Sequence, residues 1–488
     1  RGEAQLQALA PAEVQPLLSD GLRFNAHIAQ QEDGATRLDD LRLSLAAAEL
    51  QGNGSLEADG ETVEAGLNLT IDSGSAFTGL TSPAAFEAAE VALNLSGRLS
   101  APTVRLQAEL HDVEAPQVHL DVMRLQVDAT TPQPLNEADA AVAVDLELSG
   151  EHLRLDDEKV GQALPGDPRL TAAGIYQLKH QHLTLEHLEA SLAELLVQLS
   201  GEMQLPQGEA VLPVGDFVLK AQHENLSSLS ALAGQDLRGN ITFDVDVRLH
   251  EDGAVEGNVT ALADRLHLGI PAADAMLGER PGLVANLRRT QDDQLHLEEL
   301  HLDTATTSLT AEALIAADYS TIDAAYQLQI SALEPLGEVR EQPLGGSLRL
   351  EGTAVGPVAG PHVQATLAGD NLSLPGDPAR TLSGELDIDL AETGPLGSFS
   401  LEGTNGRYGP LSSQAVFALA KEVLFLEPFS FNLGEAANIN GRLEWPLDGR
   451  PGNGHVEGEI PRLDAIAALI GSEAGGSLRF QADLAPED

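Results

Sequence analysis

Apolar and polar residues alternate along most of this chain, which is the pattern of half-buried β-strands. Leu41, Leu43 and Leu45 are separated by single residues, and the same spacing returns many times, as in Leu67, Leu69 and Ile71. Gly, Asn and Asp residues punctuate these runs and predict tight turns. Such pairs occur at Asp59-Gly60, Asn53-Gly54, Asp252-Gly253 and Gly452-Asn453-Gly454. Their spacing predicts roughly 35–40 strands.

One longer unit recurs three times. Leu226–Val247 begins with leucines three residues apart, which predicts a short helix, and Gly234 stands where that helix would stop. Copies of the unit begin at Leu333 and Leu463. In each copy the first leucine lies 13 residues before a glycine, namely Gly239, Gly346 and Gly476. Repetition of this kind predicts an array whose units share one core by stacking.

A second, two-strand unit supports the array. Four stretches read as strand, turn and strand: Leu38–Leu56, Leu183–Leu205, Leu295–Ile315 and Leu424–Trp445. Further short helices are predicted at Ala272–Leu277, at Pro83–Ala89 with Ser82 as its N-cap, and in a broken segment within residues 1–20. The repeats divide the chain into a degenerate first segment (1–225), repeat units at 226–332 and 333–462, and the start of a further unit at 463–488.

Charge and composition exclude several classes of protein. With 76 acidic and 27 basic residues the net charge is −49, which makes nucleic acid and anionic lipid surfaces poor partners. The acidic residues alternate with apolar ones, so they predict a solvated outer face, and adaptation to salt is a second explanation. The absence of cysteine excludes disulfides and thiol chemistry. No run of about 18 apolar residues predicts a transmembrane helix.

Catalytic motifs are absent from the sequence. Neither a Gly-x-Ser-x-Gly elbow nor a phosphate-binding loop occurs, and the carboxylates are too numerous for one pair to stand out. His180, His182 and Glu186 would share one face of a strand, but a solvated strand face explains them more simply than a zinc site. We therefore expect no enzyme activity, no cofactor and no metal site.

The apolar side of the strands is the remaining candidate site. An apolar face in an open array lines a groove, whereas in a closed domain it forms a core, and the sequence pattern is the same in both cases. An aliphatic groove with few aromatic residues suits alkyl chains, which need apolar contact and no directional bonds. The candidate lining residues are Leu43, Leu69, Leu93, Leu106, Val144, Leu146, Ile241, Phe243, Val245, Leu297, Leu348, Leu350, Ile388, Phe431, Leu478 and Phe480.

Three consecutive motifs resemble the TamB family, the translocation and assembly module proteins of the AsmA-like superfamily. They are the helix-to-strand unit Leu333–Leu350, the Leu-x-Leu-x-Gly motif at Leu348–Gly352, and GPVAGPHVQATL at Gly356–Leu367. A related stretch is Leu93–Gly97, which leads into Ala101–Val104. The resemblance covers most of the chain in style, and AsmA-like relatives share much of it.

This resemblance implies a fold, a place and a role. The fold would be all-β: a long, repetitive, twisted sheet curved into an open, U-shaped (taco-like) hydrophobic groove, with a few short amphipathic helices. The protein would be anchored in the inner membrane of a Gram-negative bacterium and would cross the periplasm. It would move phospholipids by their acyl chains and support outer-membrane biogenesis with a TamA-type barrel protein, through an anchor and a docking region that this sequence lacks.

The length of the array agrees with that role. Roughly 35 strands spaced about 4.8 Å apart would extend about 170 Å in one twisted sheet. The alternative is a structural or adhesive β-solenoid with a closed core and no lipid transport. A solenoid favours a fixed coil length, whereas the glycines of the long unit here are unevenly spaced.

Overall fold

A computed structural model describes residues 2–4, 21–206, 212–391, 394–447, 452–469 and 472–485 of this chain. Strands make up 63% of the structure and helices 9%. The strands form a long antiparallel sheet that does not close into a barrel. These observations confirm the prediction of an all-β chain built as a long repetitive sheet with a few short helices. The chain divides into a first unit, Arg1–Gly253, and a second unit, Ala254–Asp488.

The first unit contains sixteen strands and three short α-helices. The strands are β1 (Gly2–Ala4), β2 (Leu22–Asn25), β3 (Ile28–Gln30), β4 (Thr36–Ser44), β5 (Ala48–Leu56), β6 (Thr62–Ile71), β7 (Ala88–Arg98), β8 (Ala101–Ala115), β9 (Val118–Thr130), β10 (Ala141–Glu151), β11 (Arg154–Leu155), β12 (Arg169–Gln177), β13 (His182–Leu192), β14 (Leu195–Gln204), β15 (Val214–His223) and β16 (Arg238–Leu249). The helices are α1 (Thr78–Thr81), α2 (Glu158–Ala163) and α3 (Ser230–Ala233), and 3₁₀ turns at Gly74–Phe77 and Leu226–Leu229 lead into α1 and α3.

The second unit contains fourteen strands and three helices. The strands are β17 (Val255–His267), β18 (Gly282–Arg289), β19 (Leu295–Asp303), β20 (Thr307–Ile315), β21 (Thr321–Ile330), β22 (Gly345–Pro357), β23 (His362–Ser373), β24 (Thr381–Ala391), β25 (Gly394–Thr404), β26 (Leu411–Ala420), β27 (Val423–Leu433), β28 (Ala437–Pro446), β29 (Asn453–Ile460) and β30 (Leu478–Leu484). The helices are α4 (Pro271–Leu277), α5 (Glu334–Arg340) and α6 (Leu463–Leu469).

Both units are antiparallel meanders. From β4 to β10, from β12 to β16 and from β17 to β30 each strand pairs with the next along the chain, and β10 pairs with β12 directly. Among the described residues no pairing joins the two ends of either sheet. The sheets are therefore open, and their backbone hydrogen bonds are satisfied between sequence neighbours.

The recurring helix-to-strand unit has one structural form. The helices predicted at Leu226, Leu333 and Leu463 are all present, and each is followed by a strand. The N–H of Leu333 donates to the carbonyl oxygen of Gly346 at 3.0 Å, and the N–H of Leu463 donates to that of Gly476 at the same distance. In the copies at Leu333 and Leu463 the 13-residue spacing therefore reflects a hydrogen bond that closes the helical segment onto a glycine at or just before the next strand.

The two-strand repeat carries a β-bulge that the sequence analysis did not predict. In each copy the first strand shifts register inside a Leu-acid-x-Leu or Leu-acid-x-Phe motif. The shifts lie between Leu38 and Leu41, Leu185 and Leu188, Leu297 and Leu300, and Leu426 and Phe429. A bulge places two residues opposite one, so apolar residues three positions apart reach the same face. The two residues between them are exposed in all four copies.

All six helices lie at one edge of their sheet. The helices of the first unit follow β6, the β10–β11 pair and β15, and those of the second unit follow β17, β21 and β29. Because the strands alternate in direction, these connections fall at the same edge within each unit, which we call its helix edge. The opposite edge, where tight turns join the strands, is its hairpin edge. Contacts of α2 with α3, and of α4 with α5, run along the helix edges.

Burial is concentrated at the helix edges. The buried apolar side chains larger than alanine all lie there: Ile71, Leu226, Leu333, Leu372, Tyr408, Leu411, Leu433 and Ile460. In the second unit, Tyr408, Leu411, Leu433 and Ile460 belong to one cluster, and Leu463, Ile466 and Leu469 of α6 pack onto it. The leucine spacing that predicted the helix therefore describes its packed face.

Three local predictions were wrong. The helix near Pro83 ends at Ser82 instead of beginning there, since Ser82 has ψ of 134° and a residue before proline disfavours the helical region. Asn53-Gly54 lies inside β5, because pairing with strands on both sides overrides the local turn preference. The described residues contain 30 strands, fewer than predicted, since strands such as β8, with 15 residues, exceed the assumed length.

The predicted domain boundaries at 226, 333 and 463 do not coincide with the division between the two units. The division at Gly253 falls in the β16–β17 connection, whereas the boundaries predicted at 226, 333 and 463 each fall at the start of a helical segment. As domain boundaries these three stay predictions. Of the broken helix expected in residues 1–20, residues 5–20 lie outside the described residues, and Gly2–Ala4 is the short strand β1.

Gly346 provides a test of the recurring unit. Its φ is +96°, and a Cβ there would lie 2.6 Å from the carbonyl oxygen of Asn371, whereas the equivalent Gly476, with φ of +109°, has open space. We expect Gly346→Ala to cost about 3 kcal/mol or more and Gly476→Ala about 1 kcal/mol, because only the first adds a backbone clash to the strain. Chemical denaturation, with hydrogen exchange at α5 and α6, measures both. Equal losses would show that positive φ alone requires glycine.

Candidate functional site

The apolar face of the first unit is continuous across its strands. Directly paired residues form one row from β4 to β16: Leu43, Leu50, Leu69, Val91, Ala108, Leu125, Leu148, Leu170, Ala190, Val197, Ala221 and Phe243. Every member is apolar. Side chains that are opposite in an antiparallel pair share a face, so the row is an uninterrupted apolar path at right angles to the strands.

The second unit has an equivalent row. It runs from β17 to β30 through Ala261, Leu283, Leu302, Leu309, Leu328, Leu350, Leu367, Gly384, Leu401, Ser413, Phe431, Ile439, Gly458 and Phe480. Ser413 is its one hydroxyl, and the side chains of Leu401 and Phe480 fill the space beside Gly384 and Gly458. The two rows carry the candidates Leu43, Leu69, Phe243, Leu350, Phe431 and Phe480.

The other candidates lie on the same faces. Leu93, Leu106, Val144, Leu146, Ile241 and Val245 share the apolar face of the first unit, and Leu297, Leu348, Ile388 and Leu478 share that of the second. The register thus places the sixteen residues on one face within each unit. Whether this face binds a lipid is a separate question, and their role as groove lining stays a prediction.

None of the sixteen side chains is fully buried. Phe243 is 37% exposed and Leu478 is 45% exposed, while the other fourteen are half-buried. Among the described residues, Leu433 is the only large side chain that is less than 2% exposed. Neighbouring strands therefore shield the flanks of the sixteen residues and leave their ends partly exposed, and Leu69, Phe431 and Phe480 also pack against the buried clusters of the helix edges.

The accessible surface leads to the same conclusion. The protein exposes 28178 Å², whereas a compact monomer of 51.2 kDa exposes ~17,000 Å². Sheets whose two faces both remain accessible account for the excess. A large continuous apolar surface is usually an interaction site in a soluble protein.

The opposite face of each sheet is polar and carries cross-strand ion pairs. Arg105 meets Asp128 at 2.5 Å, Arg169 meets Glu147 at 2.7 Å, and Arg124 joins Glu109 and Glu151. Hydrogen bonds from its guanidinium to the carboxylates of Glu151 and Glu109 raise the pKa of Arg124, since they stabilise its charged form. These pairs are largely exposed, so each contributes little to stability.

Two concavities open on this polar face. One of 740 Å³ in the second unit is lined by Thr366, Glu385, Asp387, Ser400 and Gln414, and one of 620 Å³ in the first unit is lined by Glu90, Gln107 and Arg124 among others. Carboxylates and amides line both, and apolar residues such as Val416 and Pro428 also line the concavity of the second unit. The continuous apolar rows lie on the other face.

Several polar residues outside the apolar face have structural roles. The carboxylate of Asp157 caps α2 by accepting from the N–H groups of Lys159 and Val160. His182 pairs with Glu202 at 3.4 Å. Within the described part of the chain no group of three or more His, Asp and Glu side chains is placed to hold a metal ion. No helix there is long and apolar enough to cross a membrane.

Comparisons with known proteins give no family. No protein-family model, curated protein or solved structure matches this chain. The likeness to the TamB family therefore rests on the quoted motifs alone. The repetitive open sheet is compatible with a taco-like β-structure.

Sequence analysis missed two features of the site. The sequence contains a signal for the bulges, since apolar residues three positions apart occur inside otherwise alternating strands. It contains no signal for the concentration of burial at the helix edge, because that depends on which connections meet at one side of the sheet. This concentration of burial closes the apolar face at the helix edge and leaves it open at the hairpin edge.

Paired substitutions distinguish an open face from a core. Phe243→Arg should cost about 1 kcal/mol, because the guanidinium can reach water from a side chain that is already partly exposed. Leu433→Arg should cost more than about 4 kcal/mol, because it places an unpaired charge in a packed cluster. Denaturation midpoints measure both. A large loss at Phe243 would identify its surroundings as closed core.

Proposed function

We propose that this chain is a non-enzymatic lipid conduit that holds phospholipid acyl chains against the apolar face of its sheets. The observation that carries the proposal is the unbroken row from Leu43 to Phe243, which is apolar throughout and at least partly exposed at every residue. The equivalent row of the second unit extends the same chemistry.

The physical chemistry of the face fits an acyl chain. Each methylene removed from water contributes ~0.8 kcal/mol, and the contact is not directional. A row of aliphatic side chains about 4.8 Å apart offers nearly the same contact at every step. A chain bound to such a row gains affinity without being fixed at one position, as sliding requires.

The TamB-like motifs extend the proposal to a cellular location and to partners. In that setting the protein crosses the periplasm of a Gram-negative bacterium and moves phospholipid between the inner and outer membranes. Its expected partners are the inner membrane, through an anchor, and a TamA-type barrel protein, with which it would support outer-membrane protein assembly. Only the aliphatic lining of the open face, and no specific residue role, is transferred from the family.

The rival proposal is a structural or adhesive β-solenoid. Such a protein would enclose its apolar residues in a core formed by successive coils. Here the strands pair as an antiparallel meander and the apolar row is half-buried. Both observations favour an open lipid-binding face over a closed solenoid.

The lipid proposal predicts that lipid accompanies the protein. Mass spectrometry of the purified chain should find phospholipid, and vesicle assays should show transfer of a fluorescent phospholipid. Phe243→Arg should lower that transfer at least about ten-fold with little loss of stability, because a charge interrupts the apolar row.

The matched control is Asp246→Arg. Asp246 is on the same strand and exposed on the polar face, opposite Val218. This change adds more positive charge than Phe243→Arg does, yet it should leave transfer unchanged. Folded protein without lipid, or equal loss in both variants, would refute the proposal.

A further inference from the structure

We infer that the hairpin edge of the first unit is where lipid enters, and that this edge selects phospholipids whose head group ends in an ammonium over purely anionic ones. The inference rests on the proposed function and adds an entrance and a head-group class to it. Its two supports are the exposed apolar side chains of this edge and the charges of the turns along it.

Apolar side chains project from this edge. Leu99 is 53% exposed, Leu135 40%, Leu178 37% and Leu212 49%, and each belongs to a different connection of the hairpin edge. Leu99 and Leu135 lie in neighbouring connections, because the N–H of Leu135 donates to the carbonyl oxygen of Ser100. Leucines at turn tips contribute nothing to a core, whereas they suit contact with the acyl region of a lipid surface.

The helix edge has the opposite character. Ile71 is 6% exposed and Leu226 is 7% exposed, because the 3₁₀ turns and helices pack over the ends of the strands. Phe77 and Phe86 also pack against the buried cluster that contains Ile71. An acyl chain reaching the apolar face from this side would have to displace packed residues, and from the hairpin edge it would not.

The turns along the hairpin edge are rich in carboxylates. The described turns 31–35, 57–61, 99–100, 131–140, 178–181 and 250–253 contain nine acidic residues and one basic residue, Lys179. The acidic residues are Glu32, Asp33, Glu57, Asp59, Glu61, Glu137, Asp139, Glu251 and Asp252. The potential at this edge is therefore negative.

Few bases offset this charge. Arg98 pairs with Glu61 at this edge and neutralises one of the nine carboxylates, whereas Arg105, Arg124 and Arg169 lie on strands and pair with carboxylates of the polar face. An anionic head group at this edge would therefore meet more carboxylates than bases. The outer ammonium of a zwitterionic head group would meet a complementary charge.

A zwitterionic lipid surface fits this edge better than a second copy of the chain. Two copies joined by their hairpin edges would bring the like charges of these turns together, which opposes association. This repulsion falls off within about 8–10 Å at moderate salt. The same screening makes the predicted head-group preference depend on salt.

The cysteine-free sequence allows the entrance to be located by labelling. Single variants Leu99→Cys, Leu178→Cys and Val144→Cys would carry an environment-sensitive fluorophore at the hairpin edge and on the apolar face. Leu232→Cys is the matched control, since Leu232 is 43% exposed but belongs to α3 at the helix edge. Each protein is mixed with vesicles of phosphatidylcholine or of phosphatidylglycerol with identical acyl chains, at about 20 mM and about 300 mM salt.

We expect the labels at 99, 178 and 144 to report an apolar environment with phosphatidylcholine, and the label at 232 to respond at least about five-fold less. The response to phosphatidylglycerol should be about five-fold weaker at low salt and should recover at high salt. An equal response at 232, or equal responses to the two lipids at low salt, would overturn the inference. If only the label at 144 responds, lipid does not enter at the hairpin edge, but the proposed lipid conduit still stands. If no label responds, both the entrance and the lipid conduit are refuted.

A charge-matched pair of variants tests the head-group preference. Glu32→Lys, Glu57→Lys and Glu137→Lys together reverse three exposed charges at the hairpin edge. Glu64→Lys, Glu90→Lys and Glu189→Lys make the same change in net charge among exposed residues of the polar face. Only the first set should abolish the preference for phosphatidylcholine. An equal effect of both sets would attribute it to net charge and overturn the role of the edge.

Asp59 is left unchanged in both sets because it holds its turn together. Its carboxylate accepts hydrogen bonds from the N–H groups of Thr62 at 2.9 Å and Glu61 at 2.8 Å, which keep the pKa of Asp59 below its ordinary value. Its replacement would disturb the hairpin as well as the charge.

Discussion

The interaction on which this protein depends is the antiparallel backbone ladder between strands that are neighbours in sequence. The described chain provides no second layer over most of its sheet, so burial of large side chains cannot hold the fold together as it does in a compact domain. Hydrogen bonds between adjacent strands and cross-strand contacts of small aliphatic side chains take that role. Each strand is stabilised by the two beside it, which allows a meander of this length to form from local pairings.

Bulges and edge helices adapt this ladder to an apolar face. The bulges in β4, β13, β19 and β27 keep apolar residues on one face, whereas strict alternation would place some of them on the opposite face. The helices bury Ile71, Leu226, Leu433 and similar residues at one edge, so the packed part of the molecule is a border along the sheet. The face between this border and the hairpin turns is left for contact with something else.

The charge distribution gives that open face its proposed role. Acidic residues on the polar face and in the turns keep an aliphatic surface soluble and disfavour edge-to-edge association of copies. A surface that is apolar, continuous and surrounded by negative charge suits a ligand with long alkyl chains and a head group that tolerates carboxylates. A phospholipid with an ammonium group meets both conditions, and this links the lipid conduit to a particular class of lipid.

The sequence by itself determined the strands, the faces and the recurring unit. Alternation is a local property, so Leu43, Phe243 and Leu350 could be assigned to an apolar face without knowledge of their neighbours. The 13-residue spacing identified a helix-to-strand unit because a backbone hydrogen bond closes it within a short stretch of chain. Only the tertiary structure decided that Asn53-Gly54 lies inside a strand, that the helices share one edge, and that the apolar row is left uncovered. These features depend on which strands pair and on what lies above the sheet, and both involve residues far apart in the sequence.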